Sequence, residues 1–229
     1  MGGVPTVIGD DRPVPRLAAV IPALNEAHSI EAVVRQVGQR ALAIVVDDGS
    51  TDDTAALARA AGAHVVSHLI NQGYDAALET GLRTASVIGC TFAVTMDADG
   101  QHDPKLLDRF CAELEAGADL VVGQRDRTQR WSETLFCFIG RLAWGLNDPL
   151  CGMKGYRVEI LARVKDLNTY ASVGTELAVR LVKGGVRAHH LPVKTLPRKG
   201  ISRFGEGLKP NLKIFKALWI GVFCTTALH

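Results

Sequence analysis

Apolar runs of strand length alternate with apolar residues at helical spacing along the first half of this chain. Leu17 to Ile21 predicts a buried strand, stopped by Pro22. Ile30, Val33, Val34 and Val37 recur at helical intervals and predict a helix over 29–39. Residues 42–46 read as a second strand, after which Thr51, Asp52 and Asp53 cap a helix running to Ala61. A short strand over 64–67, a helix over 76–87 and a strand over 91–96 follow. Asp103 and Pro104 read as the N-cap and first residue of a further helix, and 118–122 as a fifth strand. This alternation predicts an α/β fold, a mostly parallel central sheet with helices on both faces.

The rhythm changes after Arg125. A polar stretch leads to an amphipathic helix over 133–146, a turn at Asp148-Pro149, a strand over 153–156, a helix over 175–183 and a late strand over 186–191. Residues 1–16, with Pro5, Pro13 and Pro15, read as a loose leader, which leaves 17–205 as the domain. In the tail, 206–229, Leu212, Phe215 and Trp219 share one face of a helix with Lys213 and Lys216 beside them. A basic amphipathic helix of this kind suits an anionic membrane surface; packing on the domain's own core is the alternative. The apolar run over 217–228 is shorter than the ~20 residues needed to span a bilayer.

Composition narrows the classes. The 229 residues suit one α/β domain with an appendage, and 47% apolar with 22% charged residues is ordinary for a globular protein. A formal net charge of +2 gives no footing for a nucleic-acid partner. Five cysteines without C-x-x-C spacing fit a reducing, cytoplasmic compartment better than a disulfide framework or a zinc site. The N-terminus lacks the apolar core of a signal peptide.

The candidate chemistry lies where apolar runs end. Asp47-Asp48-Gly49-Ser50 closes one run, and Asp97-Ala98-Asp99-Gly100-Gln101-His102 closes another. In a parallel sheet the carboxyl ends of strands share one crevice, so these carboxylates converge and repel. A bound cation and hydrogen-bond donors on a ligand would relieve that repulsion. Oxygen ligands suit magnesium or manganese, with phosphate and water filling the remaining positions. Gln101 or His102 is a further ligand candidate. Asn25 and Glu26, after the first strand, are placed to bond a base or ribose, and the backbone N–H groups of Asn71-Gln72-Gly73 to face a phosphate.

Taken in order, these motifs resemble glycosyltransferase family 2, which has the GT-A fold. They are Ile21-Pro-Ala-Leu-Asn-Glu26, Val46-Asp-Asp-Gly-Ser50, Asn71-Gln-Gly73 and the segment Met96 to Pro104. Val122 to Arg125 resembles the family's G-x-R segment. Asp148 to Gly152 with Tyr156-Arg157, and Pro197 to Arg203, resemble segments of dolichyl- and polyprenyl-phosphate sugar synthases. The resemblance implies a nucleotide-sugar donor (GDP- or UDP-linked), a divalent cation (Mg or Mn) and inverting transfer of a hexose. By position it implies that Pro22, Leu24, Glu26, Asp48 and Asp97 line the nucleotide, and that Asp97, Asp99 and Gln101 meet the metal. It casts Asp99, Arg125 and Glu176 as catalytic, and Arg130, Arg198 and Arg203 as acceptor or phosphate contacts. Three departures stand out: Asp75 in place of a common glycine, Leu24 in place of an aromatic residue, and a five-residue step from Arg198 to Arg203 where six is usual.

The acceptor decides whether a base is needed. A sugar hydroxyl requires a carboxylate base, whereas a lipid phosphate is already ionised at neutral pH. Many relatives acting on sugars carry Glu-Asp in the second half; here Glu176 is followed by Leu177. Glu176 also suits the N-terminus of a helix on dipole grounds alone. The leading expectation is therefore a polyprenyl-phosphate hexosyltransferase, peripheral to the inner face of the cell membrane. The alternative is transfer to a sugar hydroxyl of a glycan or lipid-linked saccharide in cell-envelope polysaccharide synthesis. A silent nucleotide-sugar binding module is disfavoured by the intact acidic set, and a dinucleotide oxidoreductase by the lack of G-x-G-x-x-G after the first strand.

Overall fold

The computed structural model describes residues 16–126, 131–162, 164, 167 and 173–194. The first half runs β1 (Leu17–Ala23), α1 (Ile30–Val37), β2 (Leu42–Asp47), α2 (Thr54–Ala60), β3 (His64–Ser67), α3 (Tyr74–Ile88), β4 (Phe92–Thr95), α4 (Leu106–Glu115) and β5 (Leu120–Arg125). The second half adds α5 (Trp131–Trp144), β6 (Lys154–Arg157), α6 (Val158–Ala162), α7 (Val173–Lys183) and β7 (Ala188–Val193). Among the described residues the strands form one seven-stranded sheet, ordered β3-β2-β1-β4-β6-β5-β7. All neighbours are parallel except β6, which runs antiparallel to both β4 and β5.

Strand β1 is apolar along its whole length because both faces are covered. Ala19, Ile21 and Ala23 of β1 join α1, α2 and α4 in one core. The alternate residues Ala18 and Val20 join α3, α5, α6 and α7 in the other. This is the period-two alternation of a strand read from its two sides. Gly81 sets the spacing of α3 on β1: a β-carbon there would come within 2.3 Å of Val20 Cγ1.

Three local expectations change. Pro22 lies inside β1 rather than ending it, paired with Val46 of β2. Ala23 O faces β2, where it accepts from Asp48 N, so the missing N–H of Pro22 faces the β4 side. There Met96 N still donates to Val20 O at 3.0 Å, but the next ladder bond would need an N–H at Pro22, and the pairing of β1 with β4 stops at that point. Asp103 caps a turn ahead of α4, accepting from Lys105 N at 2.9 Å, and the helix proper starts at Leu106. Helix α6, absent from the sequence reading, continues directly from β6.

The leader and the amphipathic tail lie outside the described residues. Among those described, no helix is long and apolar enough to cross a membrane. Cys90 and Cys151 are buried, and burial pushes the thiols of Cys151 and Cys137 up to about 11 and about 12, so both stay protonated at neutral pH.

Candidate active site

The carboxyl ends of β1, β2, β4 and β5 and the start of antiparallel β6 meet along one rim of the sheet. Since β1 lies between β2 and β4, the chain crosses over at β1, which is where open α/β sheets form their ligand crevice. At the end of β1 the backbone turns sharply at Asn25, which has a φ of 52°. A short polar side chain tolerates that left-handed geometry. Asn25 Oδ1 accepts from Thr51 N (2.9 Å), and Asn25 N donates to Ser50 Oγ (2.9 Å). Glu26 N donates to Thr54 Oγ1 (2.7 Å), and the buried Glu26 carboxylate accepts from Ser29 Oγ (3.0 Å). The loops after β1 and β2 are thereby tied into one wall.

Asp48 is wholly engaged by the protein. Its Oδ1 accepts from Gln72 N (2.9 Å) and from His68 Nδ1 (2.7 Å), and its Oδ2 from Gly73 N (2.8 Å). His68 is fixed in turn by Thr80 Oγ1 at 3.0 Å. The N–H groups of Gln72 and Gly73, expected from sequence to face a ligand phosphate, are turned onto this carboxylate instead. A buried carboxylate needs donors, and the turn before α3 supplies them.

At the end of β4 the two aspartates part company. Asp99 is buried and accepts from Gln101 N at 3.0 Å. Asp97 is partly exposed and is held from several sides. Its N–H donates to Nδ1 of buried His102 (3.1 Å), which puts the proton of a neutral ring on Nε2. Tyr74 Oη, from the first residue of α3, donates to Asp97 Oδ1 at 3.3 Å. Opposite, the Cα of Gly152 lies against the same carboxylate. Thr95 secures that approach: Thr95 Oγ1 donates to Gly152 O (2.7 Å) and accepts from Lys154 N (3.1 Å).

Behind this rim lies a buried charge cluster. Arg125 grips Asp148 in a fork, Nε to Oδ2 at 2.8 Å and Nη2 to Oδ1 at 2.9 Å, while Nη1 stands 3.2 Å from Glu133 of α5. Burial acts to raise the Asp148 pKa, but the Arg125 fork outweighs it and holds the carboxyl below its ordinary value. Lys154 is buried with its Nζ donating to Cys151 O. Burial lowers its pKa, against the opposing charge of Asp148 and Asp97. Thr175 Oγ1 donates to Pro149 O (3.2 Å), docking the start of α7 on the 148–152 turn. Glu176 is buried there, Oε1 lying 3.7 Å from Arg180 of the same helix.

Residues 18–134 match the family model described as glycosyl transferase family 2. The chain belongs to that family. It is a glycosyltransferase, and its relatives span most of its length. An uncharacterized protein of Methanocaldococcus jannaschii is 29% identical, covering 89% of this chain and 91% of its own. The polyprenol monophosphomannose synthase of Mycolicibacterium smegmatis is 30% identical, covering 92% of this chain and 89% of its own. Among solved structures, glucosyl-3-phosphoglycerate synthase of Mycobacterium tuberculosis, in complex with Mn2+, uridine diphosphate and phosphoglyceric acid, superposes with a TM-score of 0.73. It is 21% identical and covers 91% of this chain and 79% of that one, a likeness that shows the shared GT-A fold.

Within this glycosyltransferase, Pro22, Leu24, Glu26, Asp48, Asp97, Asp99 and Gln101 all lie at the ends of β1, β2 and β4 along the rim. Arg125 comes to the same rim but turns its guanidinium onto Asp148 and Glu133. Arg130, Arg198 and Arg203 lie outside the described residues. Sequence reasoning passed over Tyr74 and Lys154. A lysine inside a strand-like run, between Met153 and Gly155, was the signal for the second. Tyr74 gave none, since its contact with Asp97 joins two elements far apart in the chain.

Proposed function

We propose that this glycosyltransferase moves a hexose, with inversion, from a UDP- or GDP-sugar to a polyprenyl phosphate, assisted by Mg or Mn. One observation carries the proposal. A partly open carboxylate, Asp97, bonded by Tyr74 and backed by the Cα of Gly152, with its backbone N–H held by His102, stands beside buried Asp99 at the crossover crevice of the sheet.

The residues fit a divalent cation bound together with substrate phosphates. Among the described residues no group of three or more His, Cys, Asp or Glu side chains converges to hold a metal unaided. Asp97 and Asp99, with Gln101 beside them, offer one or two oxygen ligands and leave the remainder to diphosphate and water, as suits magnesium or manganese. When bound, the cation neutralises charge developing on the departing diphosphate. Pro22, Leu24 and Glu26 border the nucleotide. Asp48 shapes that wall through the 71–73 turn, and Arg125 positions the 148–152 turn. Arg130, Arg198 and Arg203 meet phosphates of donor and acceptor.

Likeness to the polyprenol monophosphomannose synthase supports the lipid phosphate as acceptor. So does the setting of Glu176, buried and directed toward Arg180. A hydroxyl acceptor would draw on that carboxylate as base, and an ionised phosphate does not. Such an enzyme works at the inner face of the cell membrane. The test is release of nucleoside diphosphate from UDP- and GDP-sugars, with polyprenyl phosphate or a sugar hydroxyl as acceptor, with and without manganese. Release should depend on the phosphate acceptor and the cation, and fall about 10²–10³-fold in Asp99→Asn. Turnover with hydroxyl acceptors only would overturn the assignment.

A further inference from the structure

Helix α5 is apolar on both sides. Its inner face packs Phe136 and Trp144 into the core, and Gly140 lies so close to Pro149 that a β-carbon would come within 2.7 Å of Pro149 Cγ. Its outer face nonetheless carries Trp131, Leu135, Phe138 and Leu142, exposed by 66%, 39%, 61% and 73%. Steps of four, three and four residues align these side chains in one narrow stripe along the helix. A surface helix normally turns polar residues to water, so a contiguous apolar stripe of this size marks a contact surface.

We propose that this outer face of α5 lies on the surface of an anionic lipid bilayer. The charge around the stripe selects that occupant. Arg141, exposed, flanks it, while the acidic residue of the helix, Glu133, is buried on the inner face against Arg125. An apolar stripe with a basic flank matches headgroups carrying negative charge. At 14 residues, or ~21 Å, the helix is too short to cross a bilayer and suited to lying along one.

Position links the surface to the chemistry. Helix α5 follows β5, whose carboxyl end is on the active-site rim, and Leu69 and Ile70, both exposed, follow β3 at that same rim. Exposed apolar groups thus occur after β3 at one end of the rim, and α5 begins after β5 at the other. A bilayer seated there presents lipid-borne phosphate at the mouth of the site. Glu133 ties the helix to Arg125, which in turn grips Asp148 behind the rim. The role of the surface in delivering acceptor rests on the polyprenyl-phosphate assignment; its binding to lipid does not.

The experiment is flotation of the full chain with phosphatidylglycerol-containing vesicles and with phosphatidylcholine vesicles, neither holding polyprenyl phosphate. The parent should partition into the anionic vesicles. The double variant Phe138→Ser, Leu142→Ser should do so at least about tenfold more weakly, with UDP or GDP titration unchanged. Arg141→Glu, which leaves the packing alone, should weaken anionic binding severalfold and serves if the double variant misfolds. Equal partition of parent and variants overturns the proposal. So does unchanged partition together with conversion of a dimer to a monomer, which would assign the stripe to a second copy of the chain. Transfer to a short, water-soluble prenyl phosphate, measured in parallel, reports on the acceptor assignment alone.

Discussion

The Cα of Gly152 rests on the carboxylate of Asp97: a β-carbon at Gly152 would stand 3.0 Å from Asp97 Oδ2 and 3.3 Å from Oδ1. The turn that opens β6 thus fixes the direction of the carboxylate that closes β4. Gly152→Ala should displace the Asp97 side chain, which is partly exposed, at the expense of its Tyr74 bond and without disturbing the core. Transfer should fall about tenfold to a hundredfold, as for a small misplacement of a reacting group. The melting temperature should hardly move. Steady-state kinetics beside a thermal melt would check both halves; a large drop in melting temperature would mean that the clash is relieved by the backbone.

Tyr74 meets the same carboxylate from the opposite element, α3. Tyr74→Phe keeps the ring and removes one hydrogen bond to a charged acceptor, worth about 1.5–3 kcal/mol where it is fully formed. At 3.3 Å and half-exposed, the low end applies, so transfer should fall about tenfold with no change in secondary structure. Unaltered kinetics would show that Gly152 and the backbone bond to His102 orient Asp97 on their own.

The Arg125–Asp148 fork is a matter of stability. Asp148→Asn leaves the Arg125 charge buried with Glu133 alone and should cost about 3 kcal/mol. Because the folded Asp148 pKa is depressed, its contribution is complete above the ordinary carboxylate range and lost as pH falls below 3.8 toward the folded value. The parent should therefore lose stability in that acid window more steeply than Asp148→Asn. Urea unfolding at a series of acid pH values reads the difference in slope.

Gly81→Ala tests the closest approach of a helix to the central strand. The added methyl would meet Val20 Cγ1 at 2.3 Å and Val46 Cγ2 at 3.2 Å, both deep in the sheet. Overpacking at such a site costs about 1–3 kcal/mol, a fall of several degrees in melting temperature. Calorimetry suffices, and a neutral effect would show that α3 can slide away from β1.

Local pattern carried much of this structure. Ile30, Val33, Val34 and Val37 all proved buried on one face of α1, and the apolar runs of β1, β2, β4 and β5 all became strands of one sheet. The acidic turns at Asp47-Asp48 and Asp97-Asp99 fell at strand ends because a carboxylate inside a doubly covered strand is costly without donors to match it. Pro22 does not end β1, because a proline removes one ladder bond on one side only: pairing with β4 stops there while β2 carries β1 on to Ala23.

The sequence by itself determined which segments are strands and helices, where the carboxylates emerge, and the family, since all of these depend on periodicity and short motifs. The tertiary structure alone decided what each charged side chain faces. Asp48 turned to the 72–73 backbone, Arg125 to Asp148, and Tyr74 to Asp97. These partners come from distant parts of the chain, and desolvation rewards whichever pairing the packed sheet brings within reach. No linear spacing encodes that choice.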